Sequence, residues 1–348
     1  MQVYLENSLE AIGQEQWDAL ASESPTNTIF QAYGWHLAWW KTFKKDLKFF
    51  LICVKEGERL TGIAPLYISP KGRWRVVKFI GTGHSDCCDF LYPPGHSEIL
   101  EDFFDYLIQN KDTWDEMALD YIPEQSKTID FLSQWCASKK FYLHAYSQTG
   151  CPTLMIDQDQ KNVLEILAKK SLKKFYKYFS NKGGYEALHL TEEEEINPYL
   201  DGFFKQHIKR WNATQTPSLF LNESNKEFYN NLLSCLCPRK QVLFSVLKSQ
   251  GSPIAFHFGF VNDRTLLYYK PSFETDVASY SPGKVLLKEL LEYALAHGYQ
   301  EFDFSLGQEA YKMDFANRMK KNCSFKIVKT PLDYWMSQGV ALVRRITA

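Results

Sequence analysis

Hydrophobic and polar positions alternate with a period of two over short runs and near 3.6 over longer ones, the periods of strands and helices. In the first half, Phe49–Val54, Gly62–Ile68 and Trp74–Ile80 read as three strands, with a Lys55-Glu-Gly-Glu turn between the first two. Gly and charge at that spacing make a hairpin. Ser97–Ile108 carries Ile99, Phe103, Phe104, Leu107 and Ile108 at helical spacing. A strand over Thr113–Asp120, a helix over Gln125–Ala137 and a strand over Phe141–Tyr146 follow.

The second half opens with a helix over Asn162–Phe179, its buried stripe formed by Leu164, Leu167, Leu172, Phe175, Tyr176 and Phe179. Gly183-Gly184 stops it, and Glu192–Glu195 begins the next helix, where acidic residues suit the positive end of the dipole. Strands are expected over Gln241–Leu247, Pro253–Val261, Thr265–Tyr269, Glu301–Phe304 and Ser324–Val328. Helices are expected over Pro282–His297 and Leu332–Arg345.

The halves share a theme. Leu51-Ile-Cys-Val-Lys55, a glycine turn and Gly62-Ile-Ala recur as Leu243-Phe-Ser-Val-Leu-Lys248, a glycine turn and Pro253-Ile-Ala. A helix then leads into Trp114-Asp-Glu-Met in one half and Tyr299-Gln-Glu-Phe in the other. A period of about 190 residues is too long for a solenoid and points to a duplicated domain.

Composition narrows the class. The 348 residues suit two domains, and 45% hydrophobic with 23% charged is a folded, globular balance. Forty basic and 41 acidic residues leave a net charge of −1, which argues against a general DNA binder. No transmembrane segment and no signal peptide is visible. The eight cysteines form no Cys-x-x-Cys pair and lack metal-ligand spacing to histidine, so reduced thiols in a cytoplasmic protein, with no metal, are expected.

Three segments carry candidate chemistry. Tyr280-Ser281-Pro282-Gly283-Lys284-Val285 turns a strand into a helix. Ser281 suits the N-cap and Pro282 the first helical position, and a helix start with a side-chain-free Gly283 and a lysine is a plausible anion seat. Gly307-Gln-Glu309-Ala-Tyr311-Lys312 follows the last strand of the repeat, at an end where sheets commonly form sites. Gly81-Thr-Gly83-His84-Ser85-Asp86-Cys-Cys-Asp89 clusters acids and a histidine between strands. Neither a nucleophile elbow nor a Walker lysine loop is present.

Combined, Tyr280–Leu287, Phe302-Asp-Phe and Gly307-x-Glu309-x-Tyr311-Lys312 resemble the CelD-like or BioF2-like acetyltransferases, a GNAT branch related to the FemAB aminoacyltransferases. Phe30-Gln-x-x-x-Trp35, Trp39-Trp40, Gly62-Ile-Ala-Pro, Ser85-Asp-x-x-Asp89-Phe, Lys169–Lys174 and Phe204-x-x-His207-x-x-Arg210-Trp211 extend the likeness over most of the chain.

The resemblance implies an α/β (α+β) protein of two tandem GNAT-like acyl-CoA N-acyltransferase domains. Each is a mixed, mainly antiparallel sheet flanked by helices, over residues 1–157 and 158–348. The second would hold acyl-CoA, such as acetyl-CoA, through Tyr269, Tyr280, Ser281, Gly283, Lys284 and Val285. Asp89, Glu309, Tyr311 and Lys312 would be catalytic, with the carboxylates as bases and the tyrosine as proton donor. Asp86, His207, Trp211 and His257 would bind the acceptor, a small-molecule or glycan-precursor amine of envelope or exopolysaccharide synthesis. The family often has arginine where this chain has Leu306, and an acid where it has Gln308. A tRNA-dependent aminoacyl transferase, using Lys169–Lys177, and a catalytically degenerate scaffold are the alternatives.

Overall fold

The computed structural model describes residues 1–158, 160–212 and 216–336. In chain order the strands are β1 (Gln2–Glu6), β2 (Lys48–Glu56), β3 (Arg59–Lys71), β4 (Trp74–Phe79), β5 (Glu116–Pro123), β6 (Tyr142–Met155), β7 (Tyr185–Leu190), β8 (Val242–Ser249), β9 (Ser252–Asn262), β10 (Thr265–Phe273), β11 (Glu301–Asp303) and β12 (Arg318–Val328). The α-helices are α1 (Gln14–Glu23), α2 (Tyr33–Phe43), α3 (Ile99–Gln109), α4 (Lys127–Lys139), α5 (Gln160–Leu167), α6 (Lys170–Asn181), α7 (Glu193–Trp211), α8 (Glu223–Leu236), α9 (Pro282–Ala296) and the single turn α10 (Ala310–Met313). Among the described residues no helix is long and apolar enough to cross a membrane.

Two compact units emerge: residues 1–149 with 321–348, and residues 150–320. The division falls eight residues before the boundary expected at 157/158, and the chain's last strand rejoins the first unit. The physical reason is pairing. β12 runs antiparallel to β5, Phe325 opposite Leu119 and Ile327 opposite Met117, and both side chains enter the first unit's core.

In the first unit β1, β2, β3, β4, β5 and β12 lie in that order, antiparallel except for β4 and β5, which pair in parallel through Val76–Glu116 and Val77–Met117. Alternate residues of β2 and β3 (Phe50, Ile52, Val54, Ala64, Leu66, Ile68) pack against α3 through Ile99, Phe103, Phe104 and Leu107. The other face of the same hairpin packs Leu51, Cys53 and Ile63 with Trp17 and Leu20 of α1.

In the second unit β7, β8, β9 and β10 are antiparallel neighbours, and β10 pairs in parallel with β11. One face carries Leu243, Leu247, Ala255 and Tyr268 beneath α9 and α6. The other presents Phe244, Phe256 and Phe258 to Phe203 of α7 and Tyr229 of α8. Both hairpins of the expected repeat shift register at the same place, between Val54 and Lys55 in one and between Leu247 and Lys248 in the other. Both units also contain one parallel pair. The repeat is therefore structural and not only a likeness of turns.

The helix expected over Asn162–Phe179 is two helices. The backbone of Lys169 is extended (φ −52°, ψ 131°) and resets the helical phase. Val163, Ile166 and Leu167 are consequently buried, while Leu164, placed on the buried stripe by sequence, is 61% exposed. The helix expected over Leu332–Arg345 is helical through residue 336, and its remainder lies outside the described residues.

Candidate active site

The second unit's sheet opens between β10 and β11. Their pairing comprises Thr265–Glu301, Leu266–Phe302 and Leu267–Asp303. β11 ends there, while β10 runs on to Phe273. Beyond the junction the chain after β11 stays with β6, Phe304 N donating to Pro152 O at 3.0 Å and Gly307 N to Gly150 O at 3.1 Å. Among the described strands, β11 pairs with β10 only as far as Leu267, and the two part beyond it. At the same level β10 bulges, because Leu267 pairs with Phe260 and Lys270 with Phe258, leaving Tyr268 and Tyr269 opposite Gly259. His257 Nε2 accepts the Tyr269 N–H at 3.2 Å.

One lip of the opening is the turn after β11. Asp303 Oδ1 accepts the Ser305 N–H at 2.7 Å, and Ser305 and Gly307 both take positive φ, 65° and 105°. A Cβ at Gly307 would lie 2.6 Å from Glu309 Oε2, so only glycine lets that carboxylate fold back over the turn. Lys312 is 5% exposed. Its Nζ donates to Leu306 O at 2.7 Å and pairs with Glu309 Oε2 at 2.9 Å. The lysine thus reads the backbone of residue 306, which makes the identity of the Leu306 side chain immaterial to this contact. Tyr311 is half-buried, and burial reinforced by the Glu309 charge pushes its phenol well above the ordinary range.

Arg210, at the C-terminal end of α7, stands beside this group. One guanidinium nitrogen donates to Pro271 O at 2.9 Å, and the plane lies over Phe273 at 4.3 Å. Burial lowers its pKa against the opposing pull of Tyr268, Tyr311 and Glu309. Among the described residues Arg210 forms no ion pair within 4 Å. A half-buried guanidinium with a single carbonyl partner is equipped to receive an anion. Sequence reasoning quoted Arg210 only as part of a motif and gave it no role; its place three residues after His207 on α7 was the available signal.

The other lip is the start of α9. Ser281 does not cap with its side chain as expected. Its backbone is left-handed (φ 48°, ψ 56°), and its carbonyl takes the N–H groups of Lys284 and Val285 at 3.0 and 3.2 Å. Gly283 is required for packing, since a Cβ there would lie 3.2 Å from Phe273 Cδ1. Lys284 Nζ is 3.9 Å from Asp314 Oδ2, and Tyr280 stacks on Tyr178 with ring centres 3.4 Å apart. Val285 is fully buried in the core, so its side chain contacts no ligand.

Several expected site residues serve the fold instead. His257 is fully buried. His207 is 3% exposed, its Nδ1 sharing a 2.8 Å hydrogen bond with Ser218 Oγ, and Trp211 stacks on its ring. Neither histidine reaches solvent to meet an acceptor. The Tyr269 ring is buried toward Phe260 and Tyr229, leaving only its backbone near the opening. In the first unit Asp89 is 1% exposed; its Oδ1 accepts from Thr128 Oγ1 at 2.7 Å and from Phe90 N at 2.9 Å. Burial raises its pKa against hydrogen bonds from Ser126, Thr128, Phe90 N and Thr26. That carboxyl ties the 81–91 loop to the start of α4. Asp86 is half-exposed, and its carbonyl takes Asn322 Nδ2 at 2.6 Å. The structure therefore brings Glu309, Tyr311 and Lys312 together within the second unit, adds Arg210, and leaves Asp86 and Asp89 as first-unit residues.

A mixed, mainly antiparallel sheet with one parallel pair, occurring twice in one chain, is the arrangement of tandem GNAT folds, and in the second unit it parts beside a helix start. Residues 168–313 match the family described as "Acetyltransferase (GNAT) domain". The second unit thus carries a GNAT acetyltransferase-type segment, and the whole chain shares the fold of FemX and of tandem GNAT proteins. No curated protein matches the chain by sequence. The FemX crystal structure is similar at 11% identity, covering 97% of this chain and 100% of that one, with a TM-score of 0.67. The C-terminal domain of a putative lysylphosphatidylglycerol synthetase from Agrobacterium fabrum covers 97% of each chain at 12% identity, TM-score 0.58. A tandem GNAT protein from the clavulanic acid biosynthesis pathway is 12% identical over 95% of this chain and 99% of its own, TM-score 0.53. At such identities these likenesses concern the fold.

Proposed function

We propose that this chain is a cytoplasmic N-acyltransferase that moves an acyl group, such as acetyl, from acyl-CoA to an amine on a small molecule or glycan precursor. The observation that carries the reading is the parting of β10 from β11 after Leu267, beside the α9 start and inside the segment that matches an acetyltransferase family. An extended thioester arm can lie along β10 where the two strands part, with its phosphates toward Ser281, Gly283 and Lys284. Lys284 supplies charge even though the hydroxyl of Ser281 makes no cap.

The thioester is already activated, so transfer requires a neutral amine, a place for its proton and a donor to the leaving sulfur. Glu309, its carboxylate 53% exposed, is positioned to accept the amine proton. Tyr311, whose raised pKa keeps it protonated, can return a proton to the thiolate. Lys312 fixes Glu309 and the 306 carbonyl, and Arg210 holds an anionic group of the donor or acceptor.

A second reading, transfer from aminoacyl-tRNA, is favoured by the exposed Lys170, Lys173, Lys174 and Lys177 on α6. Thermal denaturation with CoA, acetyl-CoA and longer acyl-CoAs separates the two. A ligand at 100 times its Kd stabilises by about 2.7 kcal/mol. We expect a rise in Tm with acetyl-CoA. No rise with any CoA species, together with salt-sensitive tRNA binding, overturns the acyl-CoA reading in favour of the second.

A further inference from the structure

We infer that His257 is a positioning residue of the transfer site: by accepting the N–H of Tyr269, its ring holds the bulge at which β10 leaves β11. The inference deepens the transferase reading and rests on it for its catalytic consequence.

A bulge places two residues opposite one and strips a backbone group of its ladder partner. Here Tyr268 and Tyr269 face Gly259, and the N–H of Tyr269 donates at 3.2 Å to a side chain from the neighbouring strand. Two further features fit that arrangement. The His257 ring lies parallel to Tyr268, centres 4.6 Å apart and planes within 10°. Gly259 makes the room, since a Cβ there would come within 2.0 Å of His257 Cε1 and 2.7 Å of Leu267 O. Glycine two residues after the histidine is thus part of the same device.

The hydrogen bond also fixes the tautomer. If Nε2 accepts, the proton of the neutral ring sits on Nδ1. Nδ1 is buried without a hydrogen-bond partner. An enclosed, unmatched polar atom is costly and calls for an explanation. Holding Tyr269 supplies one, because an apolar residue at 257 would remove that unmatched atom but leave the Tyr269 N–H without an acceptor.

The consequence reaches the opening directly. The last residue of β10 paired with β11, Leu267, immediately precedes the bulge. Tyr268 packs against Phe302 and Phe304 on one face, and Tyr269 against Phe260 on the other. A shift of one residue exchanges the two faces. Without the histidine acceptor, the register of β10 where it parts from β11, and with it the seat of the thioester, is no longer set.

The test uses the full chain with His257→Gln, His257→Leu and Gly259→Ala. Glutamine extends an acceptor oxygen about as far as Nε2, leucine offers none, and the Gly259 variant displaces the ring. Three quantities are read: hydrogen exchange at the Tyr269 amide, Kd for acetyl-CoA by calorimetry, and acetyl-CoA turnover with glucosamine as probe amine. The leucine and Gly259 variants should exchange Tyr269 at least about tenfold faster. They should lower kcat about tenfold or more while KM for the amine changes little. Glutamine should restore both. Wild-type protection and kcat in the leucine variant overturn the inference; if that variant does not fold, the same result in the Gly259 variant does so. A wild type that neither binds nor turns over acetyl-CoA sinks the transferase reading instead, and Tyr269 exchange still decides whether His257 holds the bulge.

Discussion

An ammonium group as enclosed as that of Lys312 must have its charge matched locally, and it is matched by the Leu306 carbonyl and the Glu309 carboxylate. Glu309 itself is half open to solvent, so it tolerates loss of the lysine better than the lysine would tolerate loss of the glutamate. Replacing Lys312 with methionine keeps the buried stem and removes only the charge. We expect turnover to fall about 100-fold, the size of a lost general-acid or charge-stabilising contact, with Tm nearly unchanged. Steady-state kinetics beside a thermal melt checks this; near-normal turnover would remove Lys312 from the machinery. The sequence pointed to Glu309, Tyr311 and Lys312 because they cluster within four residues shortly after a strand end. It placed Asp89, His207 and His257 in the site with no means of seeing that the fold buries all three, because polarity marks a residue as interesting without saying whether solvent or a buried partner satisfies it. Arg210 had the opposite fate: one turn of helix lies between it and His207, and only the fold shows which of the two faces the opening.

At the level of elements, short continuous apolar runs between turn signals located the β2–β3 and β8–β9 hairpins, since a strand buried on both faces loses the period-two alternation. β6 was cut short at Tyr146, where Ser-Gln-Thr-Gly-Cys-Pro reads as a turn, yet the strand continues to Met155 because its partners supply the ladder. The break between α5 and α6 was hidden because Ala168 and Lys169 are both good helix formers. β1, α1, β7 and α8 were not read at all, their apolar residues being few or interrupted by charge. Gly62 shows how closely the recognised hairpin is fitted to its helix. A Cβ at that position would lie 2.6 Å from Ile99 Cγ2 and 2.9 Å from Phe103 Cζ of α3. Gly62→Ala should therefore overpack the β3–α3 contact and cost about 1–3 kcal/mol. In urea titration the midpoint should move down with the slope unchanged, and an unchanged midpoint would mean that α3 shifts freely.

Across the molecule, buried ionisable groups are unevenly divided between the units, and this predicts where acid attacks first. The second unit holds His189, His207 and His257, which burial keeps neutral down to about 4, about 3 and about 3. The first unit has His36, lowered to about 4 by the same cause. An unfolded imidazole titrates near 6.5. Between that value and the folded values the unfolded chain binds more protons, so the stability these groups contribute is complete above about pH 6.5 and drains away as pH falls toward 4. All three in the second unit act in the same direction, and a domain's whole stability is only about 5–15 kcal/mol. In the first unit burial raises the pKa of Asp89 and Asp120, which acts with the opposite sign: their folded carboxyls take up protons before the unfolded ones do, and they offset His36 as pH falls toward 4. Residues 150–320 should therefore lose protection first. Peptide-resolved hydrogen exchange from pH 7 to 4, corrected for intrinsic rates, should show β8–β10 opening near pH 5 while β2–β5 remain protected. If the first unit opened earlier, or both held to pH 4, then the buried histidines would have to be gaining protons without unfolding, for which neither His207 beside Lys270 and Arg210 nor the fully enclosed His257 has room.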